Sequence, residues 1–173
     1  MTYADQDYLR RCIVQRGRNV GLALLAMAAM LALAGCSDKT HGSQQTLNLT
    51  EPGGNAGTFS PIGHVTRNSA PPGSGFAFST PLQDSSKKTV GELNAVCIGT
   101  QPSKPQALKG TCTGTATVPG GQLALNVGGT IGNGVSGSIV GGTGSYAGAT
   151  GTFDSKSTGG GGPMNDTFNI TLP

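Results

Sequence analysis

The run Ile139-Val140-Gly141-Gly142-Thr143-Gly144-Ser145-Tyr146-Ala147-Gly148-Ala149-Thr150-Gly151 joins two strand-like segments through glycine-dense chain around a single aromatic ring. Within it, Gly142-Thr-Gly144-Ser-Tyr-Ala147 spells the dinucleotide-binding fingerprint. That chemistry needs a helix N-terminus aimed at a pyrophosphate, and here Gly- and Thr-rich strand follows, with no βαβ unit. The run reads as a tight turn between antiparallel strands. No P-loop is present, and no serine stands in a nucleophile-elbow setting.

Outward from this turn, apolar residues recur at every second position, the period of a half-buried strand. Upstream, Val135 and Ile139 share a face, as do Leu123, Leu125, Val127 and Ile131 in Gln122 to Ile131. Gly132-Asn-Gly134 between them reads as a type I′ hairpin turn. In Leu108 to Val118, Thr111, Thr113, Thr115 and Thr117 take one face and Cys112, Ala116 and Val118 the other. Phe76, Phe78, Thr80 and Leu82 share a face, and Asp84 to Lys88 is a polar hairpin turn. Downstream, Phe153 points inward between Thr152 and Asp154, then Gly159 to Gly162 links to a last strand carrying Phe168, Ile170 and Leu172, with Asp166 on the same parity. Leu47 and Leu49 mark a short first strand, Thr46 to Thr50. The prolines and glycines between Pro52 and Gly75 make loop, with a brief extended piece around Phe59. About eight antiparallel strands and no amphipathic helix predict a closed β-barrel, which leaves no edge exposed, with a sandwich as the alternative.

The strand Thr89 to Thr100 is ambiguous, since Leu93, Ala95 and Cys97 share one face and Val90, Val96 and Ile98 the other. Of the four cysteines, Cys12 and Cys36 belong to the N-terminal region, so Cys97 and Cys112 are left to pair with each other. A disulfide between neighbouring strands needs both side chains on one face. Cys112 lies on the apolar face, which turns Cys97, Leu93 and Ala95 inward and Glu92 and Asn94 outward. Val90, Val96 and Ile98 then form an outward apolar stripe, the kind of surface through which a homo-oligomer assembles.

The N-terminus reads as an address. Val20 to Ala34 is an apolar run behind Arg16 and Arg18, the layout of a signal peptide and too short to prefer spanning a bilayer. Leu33-Ala34-Gly35-Cys36 resembles the bacterial lipobox, whose cysteine takes a diacylglyceryl group. Residues 1–35 are thus expected to be a lipoprotein signal peptide, 36–45 a flexible tether and 46–173 a single barrel domain, held in the cell envelope by lipid on Cys36. Ser37 after the cysteine favours the outer membrane. Asp5, Asp7 and Cys12 are atypical of such a leader and place the translation start later, near Val14.

Composition limits the partners. Four arginines and two aspartates precede Cys36, and from there on seven Lys/Arg face six Asp/Glu, a nearly neutral body. Without a basic patch there is no footprint for nucleic acid. His41 and His64 stand in polar or Pro/Gly-rich segments without metal-ligand spacing, so neither a metal nor another cofactor is expected.

From Gly75 to Leu172 the chain resembles the dirigent and allene oxide cyclase barrel family. The likeness rests on Gly75-x-x-Phe78-x-Thr80-Pro-Leu-x-Asp84, Val90-Gly91, the cysteine pair and above all Val140-Gly-Gly-Thr-Gly-Ser-Tyr-Ala-Gly-Ala-Thr-Gly151. The resemblance implies an eight-stranded barrel, commonly trimeric, holding a small hydrophobic ligand, with cyclisation among the family's activities. Thr150 stands where an arginine is common and Thr80 where an acid is common, which departs from the dirigent pattern. Three functions follow as expectations: a lipid-anchored barrel that binds a small hydrophobic molecule, a cyclase or isomerase working mainly by orientation, or a structural envelope lipoprotein with a filled core. Phe76, Phe78, Thr80, Asp84, Tyr146 and Asp166 are the candidate ligand contacts, the two aspartates as a carboxylate pair near a barrel mouth.

Overall fold

The computed structural model describes residues 42–53, 56–159 and 162–173. The proposed signal peptide, Cys36 and most of the proposed tether lie outside them.

Nine strands follow in order: β1 Gln44–Glu51, β2 Thr58–Ile62, β3 Gly75–Gln83, β4 Thr89–Gly99, β5 Lys109–Val118, β6 Gly121–Thr130, β7 Gly134–Gly144, β8 Thr150–Ser157 and β9 Met164–Thr171. A 3₁₀ turn, Pro105–Ala107, precedes β5. From β3 to β9 each strand pairs antiparallel with the next, and β1 pairs along its whole length with β9. The bridge Thr50–Gln83 joins β1 to β3 and closes eight strands into a barrel. β2 is an extra strand on β3, from Thr58–Ser79 to Ile62–Gly75. Its Pro61 has no N–H to give a ladder, which an edge strand tolerates. The expected extended piece around Phe59 is therefore a true strand, and β1 begins at Gln44, two residues before the expected start.

Period-two patterning builds the interior as expected. Leu93, Cys97, Cys112, Ala116, Val118, Leu123, Leu125, Val127, Ile139, Phe153, Phe168 and Ile170 are all buried. Phe153 and Phe168, directly opposite on β8 and β9, pack with ring centroids 4.8 Å apart. Burying each such large side chain contributes about 1.5–3 kcal/mol. Outside, the β-branched threonines of β5 suit a pleated, half-solvated surface.

Cys97 and Cys112 are register partners on β4 and β5 and form a disulfide, so the ambiguous strand has Leu93 and Ala95 facing in. Glu92 faces out and accepts a hydrogen bond from the Ser79 hydroxyl. On the same outer face Val96 is exposed, while Val90 and Ile98 are half-buried.

Two local expectations change. Val140 is the extra residue of a β-bulge, because Ala124 pairs with Gly141 while Leu125 pairs with Ile139; it is turned out to solvent. The β6–β7 turn is not type I′: Asn133 N–H donates to Thr130 C=O at 3.0 Å, and Gly132 alone in that turn has positive φ. That places glycine at the third turn position, the geometry of a type II turn, which then needs only one left-handed residue.

Candidate functional site

Alternating strand directions divide the barrel into two ends. One end gathers the β3–β4, β5–β6 and β7–β8 turns; the other gathers the β4–β5, β6–β7 and β8–β9 connections with the start of β3. The ends differ in chemistry.

The first end is closed by the turn whose reading opened the sequence. Tyr146 is 5% exposed and packs within the core, and its hydroxyl donates to the Pro119 carbonyl in the β5–β6 turn at 3.0 Å. The turn backbone folds around this ring, with Ala149 N–H donating to Tyr146 C=O and Ser145 N–H to Gly120 C=O. A Cβ on Gly142 would stand 2.4 Å from the Tyr146 carbonyl oxygen, so the close approach requires glycine. At this end Asp84 accepts, through Oδ1, hydrogen bonds from Ser86 N–H, Ser86 hydroxyl and Lys88 N–H. Those bonds, led by that from the Ser86 hydroxyl, hold its pKa below the usual value.

Toward the other end the interior opens into a semi-enclosed cavity of about 160 Å³, to which all nine strands contribute. Leu125, Val127 and Val135 form one side, Cys97 and Cys112 another, with Phe78 and Phe153 supplying rings. Phe59 of β2 stands at the rim, 63% exposed, stacked on Phe78 at 5.6 Å. Small inward residues create the space. Ala95 and Gly114 are register partners on β4 and β5, where a Cβ on Gly114 would already approach the Ala95 methyl to 2.8 Å. Ser155 takes an inward position that a large residue would fill.

The polar side chains on the cavity wall are Glu51 and Ser155, and Asp166 lies buried beside them at 1% exposure. Strand register brings the three together. Ser155 is directly opposite Asp166 across β8–β9, and Glu51 is diagonal to it across β1–β9, where Glu51 faces Met164 and Leu49 faces Asp166. Neither Asp166 oxygen nor Ser155 Oγ has a hydrogen-bond partner. Burial first, and the nearby Asp166 charge second, push the Glu51 carboxyl up to about 8. Burial raises Asp166 to about 6, with Ser155 and Glu51 as polar neighbours pulling part of the way back. Because the groups are coupled, these values belong to the pair. With Glu51 raised to about 8 and Asp166 to about 6, the pair carries about one negative charge near neutral pH.

Of the six candidate contacts, Phe78 lines the cavity and Asp166 adjoins it. Phe76 and Thr80 keep the inward parity without lining it, Phe76 half-buried and Thr80 buried. Tyr146 and Asp84 both sit at the closed end, away from the cavity, the tyrosine hydroxyl donating to Pro119 and the aspartate accepting from its own turn. The structure brings Asp166 together with Glu51 and leaves Asp84 at the other end. Glu51 was legible as the next inward position after Leu47 and Leu49, one residue beyond the expected end of the first strand. His64 is exposed, and His41 lies outside the described residues. Among the described residues no three His, Cys, Asp or Glu side chains cluster as metal ligands, and no helix is long and apolar enough to cross a membrane.

The chain is thus a closed eight-stranded antiparallel barrel with one extra strand, a fold whose solved structural neighbours include dirigent proteins and a Diels–Alderase. No protein-family profile and no curated protein matches the chain. Among solved structures it is similar to pyocyanin demethylase, with 19% identity over 73% of this chain and 100% of that one, TM-score 0.59. It is also similar to the pterocarpan synthase dirigent protein GePTS1, with 17% identity over 87% of this chain and 100% of that one, TM-score 0.61. A third is the Diels–Alderase AbmU from Streptomyces koyangensis, with 13% identity over 78% of this chain and 71% of that one, TM-score 0.53. At these identities the likeness shows a shared fold.

Proposed function

We propose that the barrel binds a small hydrophobic molecule in the cavity, with its apolar body against Phe78, Val127 and Phe153 and its polar group against Glu51 and Ser155. The observation that carries this reading is an apolar cavity whose polar wall ends in buried groups lacking hydrogen-bond partners. A cavity of about 160 Å³ matches one ring or a short chain, since an engineered apolar cavity of ~150 Å³ binds benzene. The same cavity counts against a core filled by its own side chains. Calorimetric titration with toluene and benzyl alcohol tests the reading: wild type binds both, and Ala95→Leu, which places a larger side chain in the cavity, loses both. Absence of binding to the wild type contradicts it.

The second reading is a cyclase or isomerase. A carboxyl pair holding one proton supplies both a general acid and a general base near neutral pH, and the apolar walls orient a flexible substrate. The shared fold with a protein named as a Diels–Alderase supports it. Turnover that falls with Glu51→Gln while binding persists separates this reading from simple binding.

The location proposed is the cell envelope, on lipid attached to Cys36, supported by the apolar run before it and its small-residue lead-in. Intact mass of the membrane-extracted protein tests it: a diacylglyceryl increment lost in Cys36→Ser supports anchoring, and an unmodified cysteine opposes it.

A further inference from the structure

The charged groups facing the cavity from the surrounding strands are of one sign. β1 contributes Glu51, β8 the Ser155 hydroxyl and β9 Asp166 behind them, while the lining residues of β2 to β7 and the β6–β7 turn are apolar, glycine or disulfide-bonded cysteine. No Lys, Arg or His is among the lining residues. A buried carboxylate is tolerated when hydrogen-bonded or paired with a cation. Here both Asp166 oxygens and the Ser155 hydroxyl, each at least nine-tenths buried, have neither. A cation carrying N–H donors has the chemistry of such a partner, and the cavity lined by Glu51 and Ser155 is a space beside the cluster that could hold it.

Resting on the ligand-binding reading above, we propose that the cavity selects a small hydrophobic monocation, a primary amine or protonated nitrogen heterocycle of about one ring. Its N–H groups donate to the Glu51 carboxyl on the cavity wall, and its positive charge compensates Asp166 behind Glu51 and Ser155. The rings of Phe78 and Phe153 on the wall add the attraction of an aromatic face for a cation. Carboxylate-bearing ligands such as fatty acids are disfavoured, because they would bring a further negative charge against an uncompensated one.

Calorimetry of the full-length chain at pH 7 with benzylammonium, benzyl alcohol and benzoate tests this, since the three share a ring and differ in charge. Benzylammonium is expected to bind at least about tenfold tighter than the alcohol, and benzoate not at all. From pH 7 to pH 5, as the pair gains its second proton, affinity for the ammonium is expected to fall about tenfold while that for the alcohol holds. Asp166→Asn keeps alcohol binding and loses the preference; Glu51→Gln provides the second variant should the first fail to fold. Alcohol binding as tightly as ammonium, or a preference that survives both substitutions, overturns the inference and leaves the ligand-binding reading standing. No binding of any of the three overturns both.

Discussion

Glu51 on β1 and Asp166 on β9 point to the same side of the sheet one diagonal step apart, so that two carboxyl groups from opposite ends of the chain meet inside the barrel. No basic residue lines the space between them and the open end. The pair therefore retains protons that the unfolded chain would release, which links stability to pH.

The sign of that link is fixed. Both carboxyls have folded pKa values above their ordinary values of 4.5 and 3.8, so the native state binds more protons than the unfolded state. Their contribution to stability is fully present below about pH 4 and is lost as pH rises through 6 and then 8. Thermal unfolding is expected to show Tm falling from pH 5 to pH 8.5. Asp166→Asn flattens the slope and raises stability at pH 8 by on the order of 1–3 kcal/mol, by removing an unpaired buried charge. A Tm that rises over this range contradicts the prediction.

Asp84 behaves in the opposite sense. Its pKa is lowered chiefly by the Ser86 hydroxyl, so its contribution is present above its ordinary value and lost as pH falls through the lowered one. Asp84→Ala is expected to lower Tm at pH 7, to have little effect at pH 2, and to leave ligand affinity unchanged at both.

Tyr146→Phe removes the hydrogen bond to the Pro119 carbonyl while keeping the ring that fills the closed end. A loss of about 0.5–1.5 kcal/mol in urea unfolding is expected, with no change in ligand affinity or pH profile. A loss of binding would place the hydroxyl in the site.

The Cys97–Cys112 disulfide closes a loop with a sequence separation of 15 between adjacent strands. Replacing both cysteines with alanine is expected to cost about 2–4 kcal/mol, read by denaturant midpoint. Because both cysteines line the cavity, the same variant enlarges it and is expected to admit a bulkier ring than the wild type does.

Much of the barrel was legible because side-chain period two is a local property. Leu123, Leu125 and Val127 alternate so regularly that their face follows without the structure, and the cysteine pair carried the orientation of Leu93 and Ala95. The bulge at Val140 was not legible, since the extra residue follows Ile139 directly and Gly141 and Gly142 beyond it carry no hydrophobic signal to show that the alternation has shifted. The site was half legible. Asp166 stood out as an acid on an apolar face, but its partner depends on which strands close the barrel. The neighbour of β9 across the seam is β1, more than a hundred residues earlier, and no local pattern encodes that pairing. Tyr146 shows a related limit: a polar tip reads as available until the opposite turn, with Pro119, is seen to take it.

Whether Glu51 and Asp166 titrate as a coupled buried pair inside the barrel is measured directly by following the ¹³C shifts of Glu51 Cδ and Asp166 Cγ through a pH titration of the labelled protein. Two coupled steps, near pH 6 and pH 8, with both shifts moving when benzylammonium binds, are the result expected. Two independent titrations near pH 4, unaffected by the ligand, would contradict the buried pair and the chemistry assigned to it.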